Sequence, residues 1–507
     1  MSIEGSRLLK CSALPAGCVL LALVAACARE QAPAAAPAAA MQAESNAMPD
    51  SQESVSEEYL VLGNANRGAG EPMIAVDPTN PDNMIIVAMG NIQQLHGRPA
   101  TRGSTGDYHL VPGSTINWLA VTNDGGISWE VSELPILSGT FTRCPDAFAD
   151  VTADGVFIAG CEPRETHSSP DHFGMSAFMM SADKGKTWGP VVPMISDFAL
   201  DRFAPGLAPV SGGFPPGSPD RVATHSPWDR PFTQIDDSTG VIYGTSGGGW
   251  TTSGAPPGER RSQAYITAST DGGKSFGNVY AWDSPEYPQS SRGISAAAGH
   301  GIVAVGYVAA SAPSAACPCV VLGISRNQGE SFDYRVLDQF IVTPPAPGER
   351  PSNGGFVNIA IDPSRTGRIA LLKYEAAAYS VAISEDFGTT WGEFVPAGHT
   401  PEAVRFTKPA FEFSRDGVLG LIWRAVYDDD SYDIWAAVSL DGGQSFGASH
   451  RVSHARSPAF DKYRNAGLFG DDIQDLAMDN ENLHLVWGDS RAGFQGVWYG
   501  RLTLRAD

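Results

Sequence analysis

An eight-residue pattern recurs six times in this 507-residue chain and constrains its fold more than any other feature. The copies are TNDGGISW (122–129), SADKGKTW (181–188), STDGGKSF (269–276), SRNQGESF (325–332), SEDFGTTW (384–391) and SLDGGQSF (439–446). Each copy follows a short alternating apolar run and precedes another strand-like segment, which indicates a β-hairpin. The aspartate can accept hydrogen bonds from N–H groups of the turn, and the glycine reaches backbone angles that strain other residues. We therefore interpret each copy as a lock on a hairpin turn, which serves folding rather than chemistry.

The spacing of the copies predicts the architecture. Their acidic positions, with Asn327 in the fourth copy, are separated by 59, 88, 56, 59 and 55 residues. A period of roughly 40–60 residues with several strands per unit is typical of a β-propeller. The interval of 88 residues fits one period plus an insertion, which we place in the Pro/Gly-rich segment 204–219.

The pattern resembles the Asp-box, or BNR repeat, of the sialidase superfamily of propellers. Six copies, five of them with an intact aspartate, span residues 122–446. In that superfamily the box joins the third and fourth strands of a blade. This placement puts the first three strands of six blades at about 72–122, 146–181, 230–269, 293–325, 355–384 and 405–439.

The segment after the last box predicts one more blade. IQDLAMD (473–479), LHLVWGD (483–489) and VWYGRLTL (497–504) supply three strands, and EEYLVLG (57–63) can supply the fourth. Closing a ring with strands from both ends of the chain removes exposed sheet edges. We therefore predict an all-β, seven-bladed propeller of four-stranded blades, formed by residues 57–507 as a single domain, with six blades as the alternative.

The N-terminal segment predicts export. Residues 1–27 contain a short basic region and an apolar core that ends in small residues before Cys27. VAAC (24–27) resembles a bacterial lipobox, which implies lipidation of Cys27, and an ordinary signal peptide is the alternative. Residues 28–56 are rich in Ala and Pro and nearly lack large apolar side chains, so we expect a flexible tether. Together these predictions describe a globular body held by a lipid at the cell envelope.

Charge and cysteine content limit the partners. The net charge of −22 repels phosphate backbones, which argues against nucleic-acid binding. In an exported protein, Cys144–Cys161 is the favoured disulfide, and pairing across Cys317-Pro318-Cys319 stays open. The lack of a C-x-x-C pair argues against a zinc–cysteine site. We expect a monomer that needs neither a metal nor a cofactor.

The resemblance also implies where a site lies and what it contains. In these propellers the ligand binds on the face opposite the boxes, at loops that enter each first strand or join the second strand to the third. A sialidase binds a sugar carboxylate with three arginines and uses a Tyr/Glu nucleophile pair with an aspartic acid as general acid. The arginine candidates on such loops are Arg67, Arg202, Arg350, Arg405 and Arg464. The candidate nucleophile is Tyr463 or Tyr374, its base is Glu375 or Glu71, and the candidate acid is Asp201.

The leading hypothesis is therefore an exported glycoside hydrolase of the exo-α-sialidase type that acts on terminal acidic sugars of a glycan. The chain departs from that family where EPMIAVDPTNP (71–81) replaces the expected Arg-Ile-Pro or Arg-Leu-Pro motif.

Two alternatives stay open: a non-catalytic propeller that binds a glycan or a protein, and a uronate lyase that uses His167, His172, His225 and Tyr287. We interpret the acidic run 428–430 as a solvated loop rather than a calcium site, which would need about six to eight oxygens.

Overall fold

The computed structural model describes residues 58–64, 67–90, 117–136, 141–165, 175–196, 228–249, 262–289, 295–313, 315–341, 357–375, 377–458 and 473–504. The chain divides into two units, Met1–Pro49 and Asp50–Asp507. The export signal, the lipidation site Cys27 and the tether 28–56 lie outside the described ranges, so they stay predictions. Within those ranges no helix has the length and apolar character that a membrane-spanning segment requires.

The described residues form seven sheets of four strands and one two-stranded ribbon. Strand β1 (Tyr59–Leu62) belongs to the last blade. Blade one contains β2 (Ala69–Val76), β3 (Met84–Gly90), β4 (Trp118–Thr122) and β5 (Glu130–Glu133). Blade two contains β7 (Phe148–Val151), β8 (Phe157–Cys161), β10 (Met175–Ser181) and β11 (Val192–Ser196), beside the ribbon of β6 (Phe141–Arg143) and β9 (Arg164–Glu165). Blade three contains β12 (Trp228–Asp236), β13 (Val241–Gly249), β14 (Ser262–Ser269) and β15 (Tyr280–Ala281).

The remaining blades follow the same plan. Blade four contains β16 (Ser295–Gly299), β17 (Ile302–Ala309), β18 (Cys319–Ser325) and β19 (Asp333–Ile341). Blade five contains β20 (Ile359–Ile361), β21 (Ile369–Glu375), β22 (Ala378–Ser384) and β23 (Val395–Gly398). Blade six contains β24 (Arg405–Phe413), β25 (Leu419–Val426), β26 (Tyr432–Ser439) and β27 (His450–Arg451). Blade seven contains β28 (Asp475–Met478), β29 (Asn482–Asp489) and β30 (Gly496–Thr503), completed by β1.

The first strands of the seven blades form a closed ring. Strands β2, β7, β12, β16, β20, β24 and β28 each contact the next first strand, and β28 contacts β2. In blade seven, β1 pairs with β30 in antiparallel fashion, with Tyr59 opposite Tyr499. The all-β, seven-bladed prediction is confirmed, and the six-bladed alternative is wrong.

Apolar side chains fill the seams between blades. Strands β17 and β25 are buried at every residue, because both faces of a blade pack against its neighbours. Between blades five and six, the rings of Tyr379 and Trp423 lie against Phe406, each with a centroid separation of 5.4 Å. Full burial of such a side chain stabilises the fold by roughly 2–3 kcal/mol.

Each eight-residue box closes the turn between a third and a fourth strand. In the first box, the Ser128 N–H and the Thr122 hydroxyl donate to Asp124 Oδ1 at 2.9 and 2.7 Å. The Ser128 hydroxyl donates to the other carboxylate oxygen, and this bond is the main reason why the pKa of Asp124 falls to about 2. Gly126 has a φ of 86°, and an added Cβ would lie 2.9 Å from the Tyr499 ring. The box thus locks the hairpin and also packs against the neighbouring blade.

Two disulfides occur among the described residues. Cys144 and Cys161 are joined in blade two, with their Cα atoms 5.5 Å apart. Cys317 and Cys319 are joined in the loop between β17 and β18, with their Cα atoms 4.3 Å apart.

Candidate active site

The first strands surround a central channel that encloses a cavity of about 720 Å³. Because neighbouring strands in a blade are antiparallel, the loop into each first strand and the loop from the second strand to the third lie at the same end. We call this end the upper mouth, where Arg230 and Lys408 line the channel. The lower mouth carries the turns between first and second strands, including Asp237 and Arg415, and the eight-residue boxes lie at this end. A cavity of this volume is large enough for a sugar-sized ligand.

Charged residues at the upper mouth sit in strained backbone. Glu71, Arg230 and Lys408 each directly precede a proline and have φ values of 50°, 56° and 55°, and Asp146 has 51°. Each of the three pre-proline residues lies at a register shift of its first strand. Bulges re-aim side chains, and non-glycine residues in the left-handed region cluster at functional sites. The Arg230 N–H donates to Asp146 Oδ2 at 3.0 Å, which ties blade three to blade two at this mouth.

Three carboxyl groups line the channel between the mouths: Asp150, Glu412 and Asp475. Burial raises the pKa of Asp150 and the pKa of Asp475 to about 7. Burial also raises the pKa of Glu412 well above its usual range, and the negative charges of Asp475 and Asp150 add to this effect. The Glu412 side chain is exposed to the interior of the channel, so water reaches it although protein surrounds it. A carboxyl that keeps its proton near neutral pH can serve as a general acid.

Hydrogen bonds between blades fix two of these carboxyls. The Thr233 hydroxyl of blade three donates to Asp150 Oδ2 at 2.9 Å. The Ile74 N–H of blade one donates to Asp475 Oδ2 at 3.0 Å. Both carboxyls therefore have a structural role at the seams as well as a place in the channel lining.

One ion pair crosses the lower mouth. Arg415 Nη2 lies 2.8 Å from Asp237 Oδ2, and the two side chains are 40% and 28% exposed. Burial raises the pKa of Asp237, although the charge of Arg415 opposes the shift. The pair joins blades three and six, which are not neighbours in the ring.

Most of the residues chosen from the sequence lie outside the described ranges. These residues are Asp201, Arg202, Arg350, Tyr463 and Arg464, together with the lyase candidates His167, His172 and His225. Glu375 ends β21 opposite Ala378, at the turn between the second and third strands of blade five, and its backbone alone is described.

Arg67 and Arg405 are described, and both have acidic partners. Arg67 Nη1 lies 2.6 Å from Glu133 Oε1, and its guanidinium lies 4.2 Å from the centre of the Trp118 ring. Glu133 belongs to β5, the outermost strand of its blade, so this contact directs Arg67 away from the channel. Arg405 Nη2 lies 3.2 Å from Asp430 Oδ1, and both side chains are half exposed. Neither arginine belongs to the described lining of the channel.

The other candidates have structural contacts. The Tyr287 carbonyl accepts a hydrogen bond from the Tyr307 hydroxyl at 2.9 Å. In the acidic run 428–430, Asp429 Oδ1 accepts from the Ser431 N–H at 3.0 Å, as expected of a turn. Across the residues for which the structure gives positions, no group of three or more His, Cys, Asp or Glu side chains could hold a metal ion.

Arg230, Lys408 and the three channel carboxyls are not among the site residues predicted from the sequence, although the sequence contains two signals for them. A charged residue precedes proline near the start of a first strand in GEPMIAV, DRPFTQI and TKPAFEF. Acids also interrupt apolar runs in FADV (148–151) and PAFEF (409–413). These residues come from blades that are distant in the sequence, so only the closed ring shows that they meet in the channel.

No protein-family model matches the chain, and no curated protein matches it. Among solved structures, the chain is similar to a protein of unknown function from Dyadobacter fermentans DSM 18053, with 11% identity, a TM-score of 0.47, and coverage of 89% of this chain and 99% of that one. It is also similar to Hadza microbial sialidase Hz136, with 13% identity, a TM-score of 0.41, and coverage of 90% and 98%. A third similar structure is the α-L-arabinofuranosidase Arb93A from Fusarium graminearum, with 9% identity, a TM-score of 0.44, and coverage of 89% and 98%.

Proposed function

We propose that the protein is an exported glycoside hydrolase that accepts a terminal acidic sugar at the upper mouth of the channel. One observation supports this proposal above the others: cationic Arg230 and Lys408 share a sugar-sized cavity with three protonatable carboxyls. A glycosidase of this kind needs a cation for the sugar carboxylate and an acid for the leaving oxygen.

The roles follow from position along the channel. Arg230 binds the sugar carboxylate, because a planar guanidinium can donate two parallel hydrogen bonds to it. Lys408, on the other side of the upper mouth, adds a second positive charge. Asp475 donates a proton to the glycosidic oxygen, because it begins its first strand and keeps its proton near neutral pH.

The residues proposed from the sequence resemblance complete this assignment. Tyr463 is the proposed nucleophile with Glu375 as its base. Arg350 and Arg464 are proposed as further contacts of the carboxylate. Export through the signal 1–27 and lipidation at Cys27 are part of the same proposal.

The test is hydrolysis of 4-methylumbelliferyl glycosides by the purified full-length protein. The panel contains a sialoside, a glucuronide and a neutral arabinofuranoside, assayed over the pH range in which Asp475 titrates. We expect fluorophore release from an acidic glycoside and a loss of at least about 100-fold in kcat for Asp475→Asn. No release from any member of the panel would contradict the proposal.

A non-catalytic glycan-binding propeller is the second candidate. The hydrogen bonds of Asp150 and Asp475 across the seams explain both carboxyls without chemistry. This function predicts binding of acidic glycans on an array without turnover, and loss of that binding in Arg230→Ala.

A further inference from the structure

The two disulfides differ in burial and in the loop that each closes. Cys144 and Cys161 are 2% and 0% exposed and lie 17 residues apart in the sequence. Cys317 and Cys319 lie two residues apart, with only Pro318 between them. Cys319 is 6% exposed, whereas Cys317 is partly exposed. The buried disulfide has the features of a structural bridge, and the short one does not.

A disulfide around one residue restricts the unfolded chain very little. In the chain-entropy account, stabilisation grows with the length of the loop that the bridge closes. The Cys317–Cys319 bridge therefore contributes much less to folding than Cys144–Cys161. After reduction, however, its two sulfurs stay within a tripeptide, so the pair can close again rapidly. A disulfide that adds little to the stability of the fold and re-forms readily after reduction is suited to reversible opening.

The position of the short disulfide makes it accessible at the upper face of blade four. It lies in the loop between β17 and β18, at the end of the blade that faces the upper mouth. At the start of this loop, the Ala310 N–H donates to the Pro288 carbonyl at 2.8 Å. Pro288 belongs to the segment that precedes β16 and enters the blade. Cys317 and Tyr287 of that segment both pack against the apolar core between blades three and four. Cys317 is thus the more exposed residue of the two, because Cys319 begins the buried strand β18.

We propose that Cys317–Cys319 is a thiol–disulfide exchange site that accepts two electrons from an external dithiol. A thiolate of the dithiol attacks Cys317 Sγ and forms a mixed disulfide, while the Cys317–Cys319 bond breaks and Cys319 leaves as a thiolate that takes a proton. The second thiolate of the dithiol then displaces Cys317. The products are the oxidised, cyclic dithiol and a protein with two thiols, and the reverse sequence restores the bridge.

The test uses the native full-length protein in buffers that contain reduced and oxidised dithiothreitol at graded ratios. After equilibration, free thiols are blocked with iodoacetamide and each cysteine pair is quantified by peptide mass spectrometry. We expect Cys317 and Cys319 to be alkylated at a ratio at least about tenfold less reducing than Cys144 and Cys161 require. Opening of both bridges at the same ratio would overturn the proposal. So would a short bridge that stays oxidised until the protein unfolds.

Two variants test which sulfur is attacked. Cys319→Ser leaves Cys317 as a free thiol, which should form a mixed disulfide with oxidised glutathione. Cys317→Ser leaves the buried Cys319, which should react at least about tenfold more slowly. Equal rates would overturn the assignment of Cys317 as the attacked sulfur. Circular dichroism checks that both variants are folded, and the wild-type titration decides the proposal if they are not.

Discussion

Arg415 of blade six and Asp237 of blade three form an ion pair across the lower mouth, with Nη2 2.8 Å from Oδ2. Blades four and five separate them on one side of the ring, and blades seven, one and two on the other. The pair therefore connects elements that share no sheet edge and no seam.

Because this ion pair is partly exposed, its contribution to stability should be small. In a double-mutant cycle of Arg415→Gln and Asp237→Asn, we expect a coupling energy of about 0.5–1 kcal/mol. Urea denaturation of the four proteins measures it. The exposed pair of Arg365 and Glu385 at 2.9 Å provides a comparison within one blade. A coupling of zero for Arg415 and Asp237 would mean that the contact across the mouth does not hold the ring.

Arg491→Ala should loosen the closure of the ring. Arg491 forms ion pairs with Glu58, which precedes β1, and with Asp489 of β29 at 3.2 Å. The side chains of Glu58 and Asp489 are 4% and 0% exposed, so removal of the guanidinium takes a directly paired cation away from two enclosed acids. We expect a loss of about 3 kcal/mol in the free energy of unfolding.

Hydrogen exchange locates that effect. Under conditions that favour the folded state, amides of β1 should exchange faster in Arg491→Ala than in wild type. Amides of β17 in blade four, far from the closure, should keep their protection. The matched control is Arg365→Ala, which removes an exposed ion pair and should cost less than about 0.5 kcal/mol. Unchanged protection of β1 would argue against a closing role for Arg491.

The fourth box contains a natural control for the others, because Asn327 stands where the other five have aspartate. Asn327 Oδ1 accepts from the Ser331 N–H at 3.1 Å, and its Nδ2 donates to the Ser331 hydroxyl at 2.9 Å. Asp271→Asn should therefore keep most of the turn, whereas Asp271→Ala should cost about 1–2 kcal/mol. Thermal unfolding measures both variants, and equal losses would contradict this account of the box.

Asp271 should also contribute to acid sensitivity. The hydroxyl of Ser275 lowers the pKa of Asp271 to about 2, below the value of about 4 expected in the unfolded chain. Stability from this carboxylate is present above that unfolded value and is lost as the pH falls toward 2. In Asp271→Asn this part of the acid sensitivity should disappear.

The channel carboxyls should act in the opposite direction. Burial raises the folded pKa of Asp150 to about 7, whereas an unfolded aspartate has a pKa of about 4. Between these values the folded state binds more protons than the unfolded state, so stability falls as the pH rises from about 4 to 7 and then levels off. Asp150→Asn should remove this fall. The check is the urea midpoint at several pH values, and parallel curves for wild type and variant would contradict the assignment.

Arg230→Ala should weaken the binding of an acidic glycoside. Because its guanidinium is proposed to bind the sugar carboxylate bidentately, we expect KM to rise about 10- to 100-fold with a smaller change in kcat. Arg230→Lys keeps the charge without the planar fork and should give an intermediate KM. Arg365→Ala at the lower face is the control. A KM for Arg230→Ala equal to that of wild type would move the carboxylate site elsewhere.

The architecture was predictable because its signals are local and repeat. Each box defines a hairpin within eight residues, and the apolar runs beside it define the strands that the hairpin joins. The strand pair of β1 and β30 was also predictable, since a ring with an unfilled fourth position exposes an edge.

The site was less predictable because it depends on the directions in which side chains point, and only the closed ring sets those directions. Arg67 is on a loop of the expected kind, yet Glu133 on the outermost strand holds its guanidinium away from the channel. In the sequence Glu412 is a single acid within the apolar run PAFEF, and the two acids near it in the fold, Asp150 and Asp475, come from blades two and seven. Spacing along the chain does not encode these contacts.

The pairing of β1 with β30 has a consequence for biosynthesis and for mechanical load. Residues 59–62 leave the ribosome more than 400 residues before their partner strand is made, so the ring cannot close until residues 496–503 have been synthesised. Any force applied through the N-terminal segment also acts first on this single antiparallel pair. The β1–β30 hydrogen bonds that close the ring are therefore the first that a pull on the N-terminal segment would break.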